Sequence, residues 1–412
     1  MKILIVGGGI GGLATALCLH RAGIETEIFD QSSELRELGV GINVLPHAIS
    51  VLAELDLLPA LDLAGIRTRE LFYCNRFGQT VWQELRGTDA GYDVPQFSIH
   101  RGKLHGVLQR AVRERLGPAR IHTDCRLVGF DEQPDRIVAS FESRDGRETT
   151  VEGDALVGAD GIHSTVRSTL YPDEGPPIWN GTMLWRGATE WPAYADGRTM
   201  VIAGGNAAKF VFYPIHMDPA QPEMRLTNWA IMTRLSDEQV PPRREDWNRI
   251  GQREEALPFV RDMFRLGFLD PVALLEATDT FYEYPNCDRN PLPRWSFGRV
   301  TLLGDAAHPM YPVGSNGASQ AILDAQCLAR HLEAVSIADA FAIYDAERRP
   351  AMAKIVEANR TGGPEGVIDL IEARAPDGFD DIDRIASHAE REAVVRGYAS
   401  MAGFARDQVN RR

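Results

Sequence analysis

A run of glycines, Gly7-Gly8-Gly9-Ile10-Gly11-Gly12, follows a short β-branched segment at the amino terminus. Residues 3–6 before it have the apolar character of a strand buried on both faces of a parallel sheet. Residues 10–22 after it have helical periodicity and stop at Gly23. Glycines at these spacings allow a tight turn, close approach of the backbone to a pyrophosphate and close helix–strand packing. The motif therefore predicts a βαβ nucleotide-binding unit.

An acidic residue follows the second predicted strand, which spans residues 26–29. Asp30 lies 18 residues after Gly12, near the spacing of about 20 expected for a carboxylate that binds a ribose diol. The helix amino terminus offers N–H groups and partial positive charge to a pyrophosphate. These features predict a dinucleotide, but NAD and FAD both carry ADP and remain open at this point.

A second glycine-rich segment favours FAD. Residues 300–303 read as a buried strand, Gly304-Asp305 follows it, and the loop of residues 312–317 precedes a helix. An aspartate at a strand end is placed to accept a polyol hydroxyl. The loop lets backbone amides approach a planar ring. The helix then directs its positive end at the anionic edge of a reduced flavin.

Composition excludes several classes of function. Lys and Arg number 44 against 58 Asp and Glu among 412 residues, and the net charge of −14 argues against general nucleic-acid binding. Five scattered cysteines without a C-x-x-C pair predict neither disulfides nor a zinc site, and suit a reducing cytoplasm. Glycines interrupt the apolar amino terminus, and no apolar run is long enough to span a membrane. We expect a cytoplasmic protein with no metal and no membrane or nucleic-acid partner.

The organisation along the chain predicts an α/β fold with an inserted sheet. Aromatic-rich strands in the middle third indicate an antiparallel substrate-binding domain at 178–284. A discontinuous FAD-binding domain is expected at 1–177 and 285–360, with a Rossmann-like parallel sheet and a β-meander near 126–152. A C-terminal helical segment at 361–412 completes the chain. One helix is predicted over 48–63.

A third motif, Asp160-Gly161-Ile162-His163-Ser164-Thr165-Val166-Arg167, follows another buried strand. Together with the two glycine-rich segments, it resembles the single-component FAD-dependent aromatic monooxygenases, the p-hydroxybenzoate hydroxylase-like family, over residues 1–360. Within that family the segments Leu38-Gly-Val-Gly-Ile-Asn43 and Trp185-Arg-Gly187 are most similar to the phenazine-modifying branch, which hydroxylates 5-methylphenazine-1-carboxylate with loss of the carboxylate.

The resemblance implies a set of cofactor-binding residues. The glycines of the first motif would bind the FAD pyrophosphate, Asp30 the adenosine ribose, and Arg36 with Arg101 the polar middle of the cofactor. Leu127 would contact the adenine through its backbone, Asp305 the ribityl or pyrophosphate, and residues 312–317 the isoalloxazine. The complete set is Gly7, Gly9, Gly11, Gly12, Asp30, Arg36, Gly41, Arg101, Leu127, Asp160, Asp305, Pro312, Gly314, Asn316 and Gly317.

The resemblance also implies a reaction. NADH or NADPH would reduce FAD transiently, O2 would add at flavin C4a, and the hydroperoxide would deliver oxygen to an electron-rich aromatic ring. Because the chemistry belongs to the cofactor, we name no catalytic acid or base. His47, His216 and His308 are each interpreted as structural histidines. With one dinucleotide fingerprint in the chain, the two-dinucleotide-domain reductases are disfavoured.

The inserted sheet is expected to form the substrate pocket. Period-2 alternation places Phe212 on one face and Tyr213 on the other. A wall for a planar apolar ligand is predicted from Met183, Trp185, Phe212, Tyr213, Trp229, Met310 and Val313. Two other functions remain open, a flavin-dependent reductase or dehydrogenase without oxygen transfer, and a non-catalytic flavin-binding or aromatic-ligand-binding protein. The chain is expected to be a monomer or homodimer.

Overall fold

A computed structural model describes residues 1–35, 39–237, 240–243, 246 and 248–411. Strands lie throughout the first three quarters of the chain. In chain order, the described strands are β1 (Lys2–Val6), β2 (Glu25–Phe29), β3 (Gly41–Val44), β4 (Gly65–Arg67), β5 (Glu70–Cys74), β6 (Thr80–Leu85), β7 (Phe97–His100), β8 (Ile121–His122), β9 (Arg126–Glu132), β10 (Ile137–Glu142), β11 (Glu148–Gly153), β12 (Ala155–Gly158), β13 (Ile178–Pro192), β14 (Thr199–Ala203), β15 (Ala208–His216), β16 (Met224–Arg234), β17 (Phe281–Asp288), β18 (Ser296–Phe297) and β19 (Val300–Leu302).

Helices flank these strands and dominate the last quarter. The described α-helices are α1 (Ile10–Arg21), α2 (Pro46–Glu54), α3 (Leu58–Ala64), α4 (Arg101–Arg115), α5 (Thr165–Leu170), α6 (Arg253–Met263), α7 (Pro271–Glu276), α8 (Gly317–Ala334), α9 (Ile337–Arg360), α10 (Gly366–Arg374), α11 (Ile382–Ile385), α12 (His388–Met401) and α13 (Arg406–Val409). Among the described residues, every helix is too short or too polar to cross a lipid bilayer.

The first sheet has the strand order β18-β19-β12-β1-β2-β8, and all neighbours except β18 and β19 run parallel. β1, β12 and β19 are therefore adjacent and end at the same edge of the sheet. The segments that follow them, at Gly7, Asp160 and Asp305, meet at that carboxyl edge, where open α/β sheets bind ligands. The expected α/β class is confirmed, and β9, β10 and β11 form the antiparallel meander.

The second large sheet has the order β17-β13-β16-β15-β14-β5-β6. β5 and β6 precede the predicted insert at 178–284, so this sheet draws on two separated parts of the chain. β5 pairs parallel with β14, from Thr199 opposite Glu70 to Ala203 opposite Cys74. This pairing covers the edge of β14 that the insert alone would leave open. The sheet therefore contains two strands from outside the predicted insert, β5 and β6.

Each face of the second sheet packs differently. Trp185, Phe212 and Trp229 lie on one face in a buried cluster with side chains of α6 and α7. Tyr73 and Met200 lie on the other face, where α10 and α12 contribute the covering side chains. The C-terminal segment thus packs on the sheet. The expected helix over 48–63 is instead two helices, α2 and α3, separated at Asp56, whose φ of 56° interrupts helical geometry.

Candidate functional site

The glycine turn after β1 leaves no room for side chains at two positions. Gly7 has a φ of +107°, and a Cβ there would lie 2.9 Å from the Cα of Asp160. A Cβ on Gly12 would overlap the carbonyl oxygen of Gly7. A Cβ on Gly9 would meet nothing within 4 Å. The backbone of Gly9 therefore borders open space into which a ligand can approach.

The start of α1 provides N–H groups to that space. Its N-cap is Gly9, which has no side chain to accept from the first turn, and the first turn contains no acidic residue. The first intrahelical bond runs from the Leu13 N–H to the Gly9 carbonyl (3.0 Å). The N–H groups before Leu13 lack intrahelical acceptors because of helix geometry. These features fit a pyrophosphate with no change in the protein.

Asp30 is oriented by the same turn. Its Oδ2 accepts from the Gly8 N–H (2.7 Å) and its Oδ1 from the Ser32 N–H (2.8 Å). The carboxylate is half-buried at the end of β2. This places it beside the glycine turn, at the position that the sequence spacing predicts for a ribose contact.

Asp305 follows β19 at the carboxyl edge of the first sheet, and Arg101, which begins α4, is close enough for the two charges to interact. Both side chains are solvent-exposed, yet the surrounding protein raises the pKa of Asp305 and lowers that of Arg101. His308 and Arg101 oppose the shift at Asp305, and Asp305 in turn opposes the shift at Arg101. Exposed groups that are nevertheless desolvated indicate a concave site. This pair of opposite charges would suit a ligand with hydroxyl and phosphate groups.

The loop between Pro312 and α8 forms another part of the cleft. Pro312 is exposed, whereas Asn316 is buried. Gly314 and Ser315 have φ values of +63° and +57°. Gly317 begins α8, whose first turn contains no acidic residue. The loop thus presents an 18-residue helix amino terminus toward the cleft, which favours an anionic ring edge.

Gly41 lies between this cleft and the second sheet. Its N–H donates to the Asn228 Oδ1 (2.8 Å), and its carbonyl accepts from the Arg186 guanidinium. A Cβ at Gly41 would lie 2.6 Å from Asn228 and 2.7 Å from Tyr213. Sequence reasoning missed Arg186 and Asn228. The signal for Arg186 was its alternation with Trp185, which places it on the opposite face of β13.

Three other residues predicted to bind the cofactor differ in where they lie. Asp160 accepts from the Thr165 N–H (2.7 Å) and the Val166 N–H (3.3 Å), so it holds its own turn at the start of α5. Leu127 is buried in β9. Arg36 lies outside the residues that the structure describes.

Two of the histidines predicted to be structural, His308 and His47, lie in buried polar networks. His308 lies 2.6 Å from the Asp324 carboxylate (Nε2 to Oδ2), and Arg348 donates to the other oxygen of Asp324 (2.7 Å). Although burial opposes it, Arg348 and His308 lower the pKa of Asp324 to about 2. His47 is fully buried, 3.3 Å from the Gln320 amide nitrogen. These networks tie α8 to its neighbours.

A cavity of about 610 Å³ opens next to the loop. It lies between the second sheet and the C-terminal helices, and Gly314 and Ser315 form part of its wall. Apolar side chains from both sides line it, namely Leu45, Leu71, Met200, Ile202, Val395 and Phe404. Its volume is in the range typical of small-molecule sites. The arrangement gives a planar apolar ligand access to the loop.

Polar groups also line the cavity. The Arg86 guanidinium pairs with Glu84 and lies 3.4 Å from the Tyr73 hydroxyl. Burial would lower the pKa of Arg86, but Glu84, Tyr73 and Tyr92 raise it, so the guanidinium remains charged. Among the described residues, its buried Nε–H has no hydrogen-bond partner. Sequence reasoning missed this arginine because it directly follows β6, outside the predicted insert.

The side chains predicted to form the substrate wall lie away from this cavity. The described lining of the cavity includes none of the seven. Met183, Trp185, Phe212 and Trp229 pack on the other face of the sheet. Tyr213 shares the cavity's face but contacts the Gly41 region, and Val313 and Met310 pack into the protein beside the loop. The sheet wall of the cavity comes instead from β5, β6 and β14.

Comparisons with known proteins agree with the geometry. A family model described as "FAD binding domain" matches residues 1–257 and 279–359. A phenazine 1,6-dicarboxylic acid hydroxylase from Lysobacter antibioticus is 45% identical over 363 residues, covering 87% of this chain and 89% of the relative. A 3-hydroxybenzoate 6-hydroxylase from Aquipseudomonas alcaligenes is 31% identical over 344 residues, covering 80% of each chain. The crystal structure of Klebsiella pneumoniae HpxO with FAD and uric acid has a TM-score of 0.74 at 22% identity, covering 99% of this chain and 96% of that one.

Proposed function

This chain belongs to the family of the FAD binding domain and is an FAD-dependent aromatic monooxygenase, and from that premise we propose that its substrate is a planar fused-ring aromatic carboxylate of the phenazine class. The observation that carries the proposal is the cavity of about 610 Å³ beside Gly314. A substituted three-ring ligand would fill more of this space than a single phenol. The relative from Lysobacter antibioticus is named for a phenazine dicarboxylic acid.

The cavity walls support a flat ligand. Leu71 and Met200 come from the sheet, and Val395 and Phe404 come from the C-terminal segment on the other side. Apolar walls on two sides exclude water and hold a ring in one plane, which orients it toward the loop. Arg86 pairs with Glu84 in this cavity, and its buried Nε–H has no partner among the described residues, so a carboxylate on the ring can accept a hydrogen bond from it.

In this proposal, FAD supplies the electron transfer from NADH or NADPH and the oxygen transfer to the ring. The amino terminus of α1, with Gly7, Gly9, Gly11 and Gly12, would bind the pyrophosphate. Asp30 would bind the adenosine ribose, while Asp305 and Arg101 would bind the polar middle of the cofactor. Gly41 and residues 312–317 would border the isoalloxazine. The segments 1–177 and 285–360 would supply these contacts, and the second sheet would supply the substrate wall.

The test measures oxygen incorporation. Purified holoenzyme is given NADH or NADPH, ¹⁸O2, and one of phenazine-1,6-dicarboxylate, phenazine-1-carboxylate, unsubstituted phenazine or 3-hydroxybenzoate. We expect nicotinamide oxidation to be stimulated by the phenazine carboxylates, with one ¹⁸O atom in the product by mass spectrometry. The matched control is the same mixture without an aromatic compound.

Other outcomes identify the alternatives. Oxidation that yields only peroxide with every aromatic would support a reductase without oxygen transfer. A flavin that neither nicotinamide reduces would support a non-catalytic binding protein. Oxygenation of 3-hydroxybenzoate with no reaction of the phenazines would contradict the argument from cavity size.

A further inference from the structure

The turn at Gly314–Asn316 contacts a tyrosine from the C-terminal segment. The Tyr398 hydroxyl accepts from the Asn316 Nδ2 (2.9 Å) and donates to the Asn359 Oδ1 (2.7 Å). Its ring lies directly over Gly314, where a Cβ would be 2.6 Å from the ring edge. All three polar side chains are buried. Tyr398 therefore contacts the turn through both its ring and its hydroxyl.

Two further residues hold the same turn. The Asn359 Nδ2 donates to the carbonyls of Tyr311 (3.0 Å) and Val313 (3.3 Å). The Glu365 Oε1 accepts from the Gly314 N–H (3.1 Å), and its other oxygen pairs with Lys209 of β15. The turn is thus fixed from α9, from the segment before α10 and from α12. This matters because the left-handed φ of Ser315 persists only where surrounding contacts hold it.

Asn316 occupies the position immediately before α8 without capping that helix. Asparagine is among the best N-cap residues because its side chain accepts from the first N–H groups. Here, however, its Oδ1 lies 3.3 Å from the Gln320 Nε2, its Nδ2 donates to Tyr398, and the side chain makes no cap hydrogen bond. The N–H groups of the first turn of α8 are consequently left for a ligand at the cleft.

We propose that Tyr398 is a positioning residue for the cofactor, because its hydroxyl bonds the side chain of Asn316, the residue immediately before α8, and so fixes where the amino terminus of that helix lies. The first-turn N–H groups are then directed at the flavin. Without that hydroxyl, Asn316 loses its bond to α12 and the turn before α8 is held less firmly. The cofactor must then order the turn when it binds. The inference rests on FAD binding and is independent of the substrate.

The test is a double-mutant cycle on FAD affinity. Tyr398→Phe keeps the ring on Gly314 and removes only the hydroxyl. We expect FAD to dissociate from this variant at least about fivefold more readily, as measured by quenching of FAD fluorescence on titration with apoprotein. The reduction potential of the bound flavin should become more negative, because the helix amino terminus favours the anionic reduced form. Tyr171→Phe, which loses a hydroxyl bond to the Arg294 carbonyl (2.8 Å), is the matched control.

The second arm uses Asn316→Ala, since alanine cannot donate to the Tyr398 hydroxyl. In that background, Tyr398→Phe should change the FAD dissociation constant by less than twofold. Full additivity of the two substitutions would overturn the proposal, as would a Tyr398→Phe single variant with unchanged FAD affinity and potential. Thermal unfolding of each apoprotein separates loss of folding from loss of positioning. If Tyr398→Phe does not fold alone, the comparison of Asn316→Ala with the double variant still decides the matter, because a further loss of FAD affinity there contradicts the proposal.

Discussion

The two faces of the β17-β13-β16-β15-β14-β5-β6 sheet use the same strands for different purposes. One face carries Trp185, Phe212 and Trp229 and is closed by α6 and α7. The other carries Leu71 and Met200 and is covered only in part by the C-terminal helices, which leaves the cavity. The aromatic face is therefore a packed core, and the less aromatic face is the proposed binding surface.

The difference follows from what covers each face. α6 and α7 lie between β16 and β17 in the chain and fold back onto the strands next to them. The other face is covered by helices far along the chain, which also hold the loop before α8. A face closed by neighbouring helices packs tightly, whereas a face bounded by distant elements can retain a gap. Aromatic content by itself does not identify a binding surface.

The largest expected effect is a loss of stability when a core side chain of the packed face is removed. Trp229 is fully buried, and its indole N–H donates to the Thr278 hydroxyl (2.8 Å). Trp229→Ala should lower the free energy of unfolding by about 3–5 kcal/mol, because it removes a large core side chain. Denaturant unfolding of the holoenzyme measures this. The KM of the fraction that remains folded should stay near that of the wild type, and a selective rise in KM at full stability would contradict the comparison.

A side chain that fills the cavity should instead impair substrate binding and change stability little. Ala399 lies on α12 and lines the cavity. Ala399→Trp should raise the substrate KM by about tenfold or more, because the indole occupies the space for the ring. FAD affinity and thermal unfolding should change little, since the side chain extends into the cavity. Unchanged steady-state kinetics in a folded variant would show that the ligand binds elsewhere.

Removing the charge within the cavity should have a smaller and more selective effect. Arg86→Met should weaken binding of a phenazine carboxylate by about tenfold to a hundredfold, as expected for a hydrogen bond to a charged group. Binding of unsubstituted phenazine should change little. Arg69→Met removes an exposed arginine paired with Asp196 and is the control. Equal losses for both ligands would argue against a carboxylate contact.

The smallest expected effect is a change in the pH dependence of stability when Asp305 is replaced. Desolvation by the surrounding protein raises the pKa of the solvent-accessible Asp305 carboxyl above its ordinary value of 3.8, so the folded apoprotein binds this proton more tightly than the unfolded chain. Its contribution to stability is present at low pH and is lost as pH rises through the raised pKa. The apoprotein of Asp305→Asn should therefore lose less stability than the wild type between about pH 4 and pH 7. Thermal unfolding across that range measures the difference, and identical pH profiles would contradict it.

The sequence predicts the local structure of the glycine turn and of the strand ends well, because the signals for these features are local. The turn at Gly7, the carboxylate of Asp30 and the strand end at Asp305 each depend on a few consecutive residues. The parallel order of β1, β12 and β19 then brings their ends together. The local preferences of strands, turns and helices are enough to predict the conformation at these positions.

The substrate side depends on long-range contacts that spacing does not reveal. Alternation shows that Trp185 and Arg186 face opposite ways, but not which face a helix covers. The pairing of β5 with β14 joins residues more than a hundred positions apart, and it carries Arg86 into the cavity wall through β6. The contact of Tyr398 with Asn316, in the loop before α8, spans 82 positions along the chain. Such contacts arise only when the whole chain is folded.

A crystal structure of the FAD-bound enzyme with phenazine-1-carboxylate would test the central claim most directly. We predict that the ring lies between Met200 of the sheet and Val395 of α12, next to Gly314, with its carboxylate toward Arg86. Electron density for the ring among Trp185, Phe212 and Trp229, on the other face of the sheet, would contradict the account.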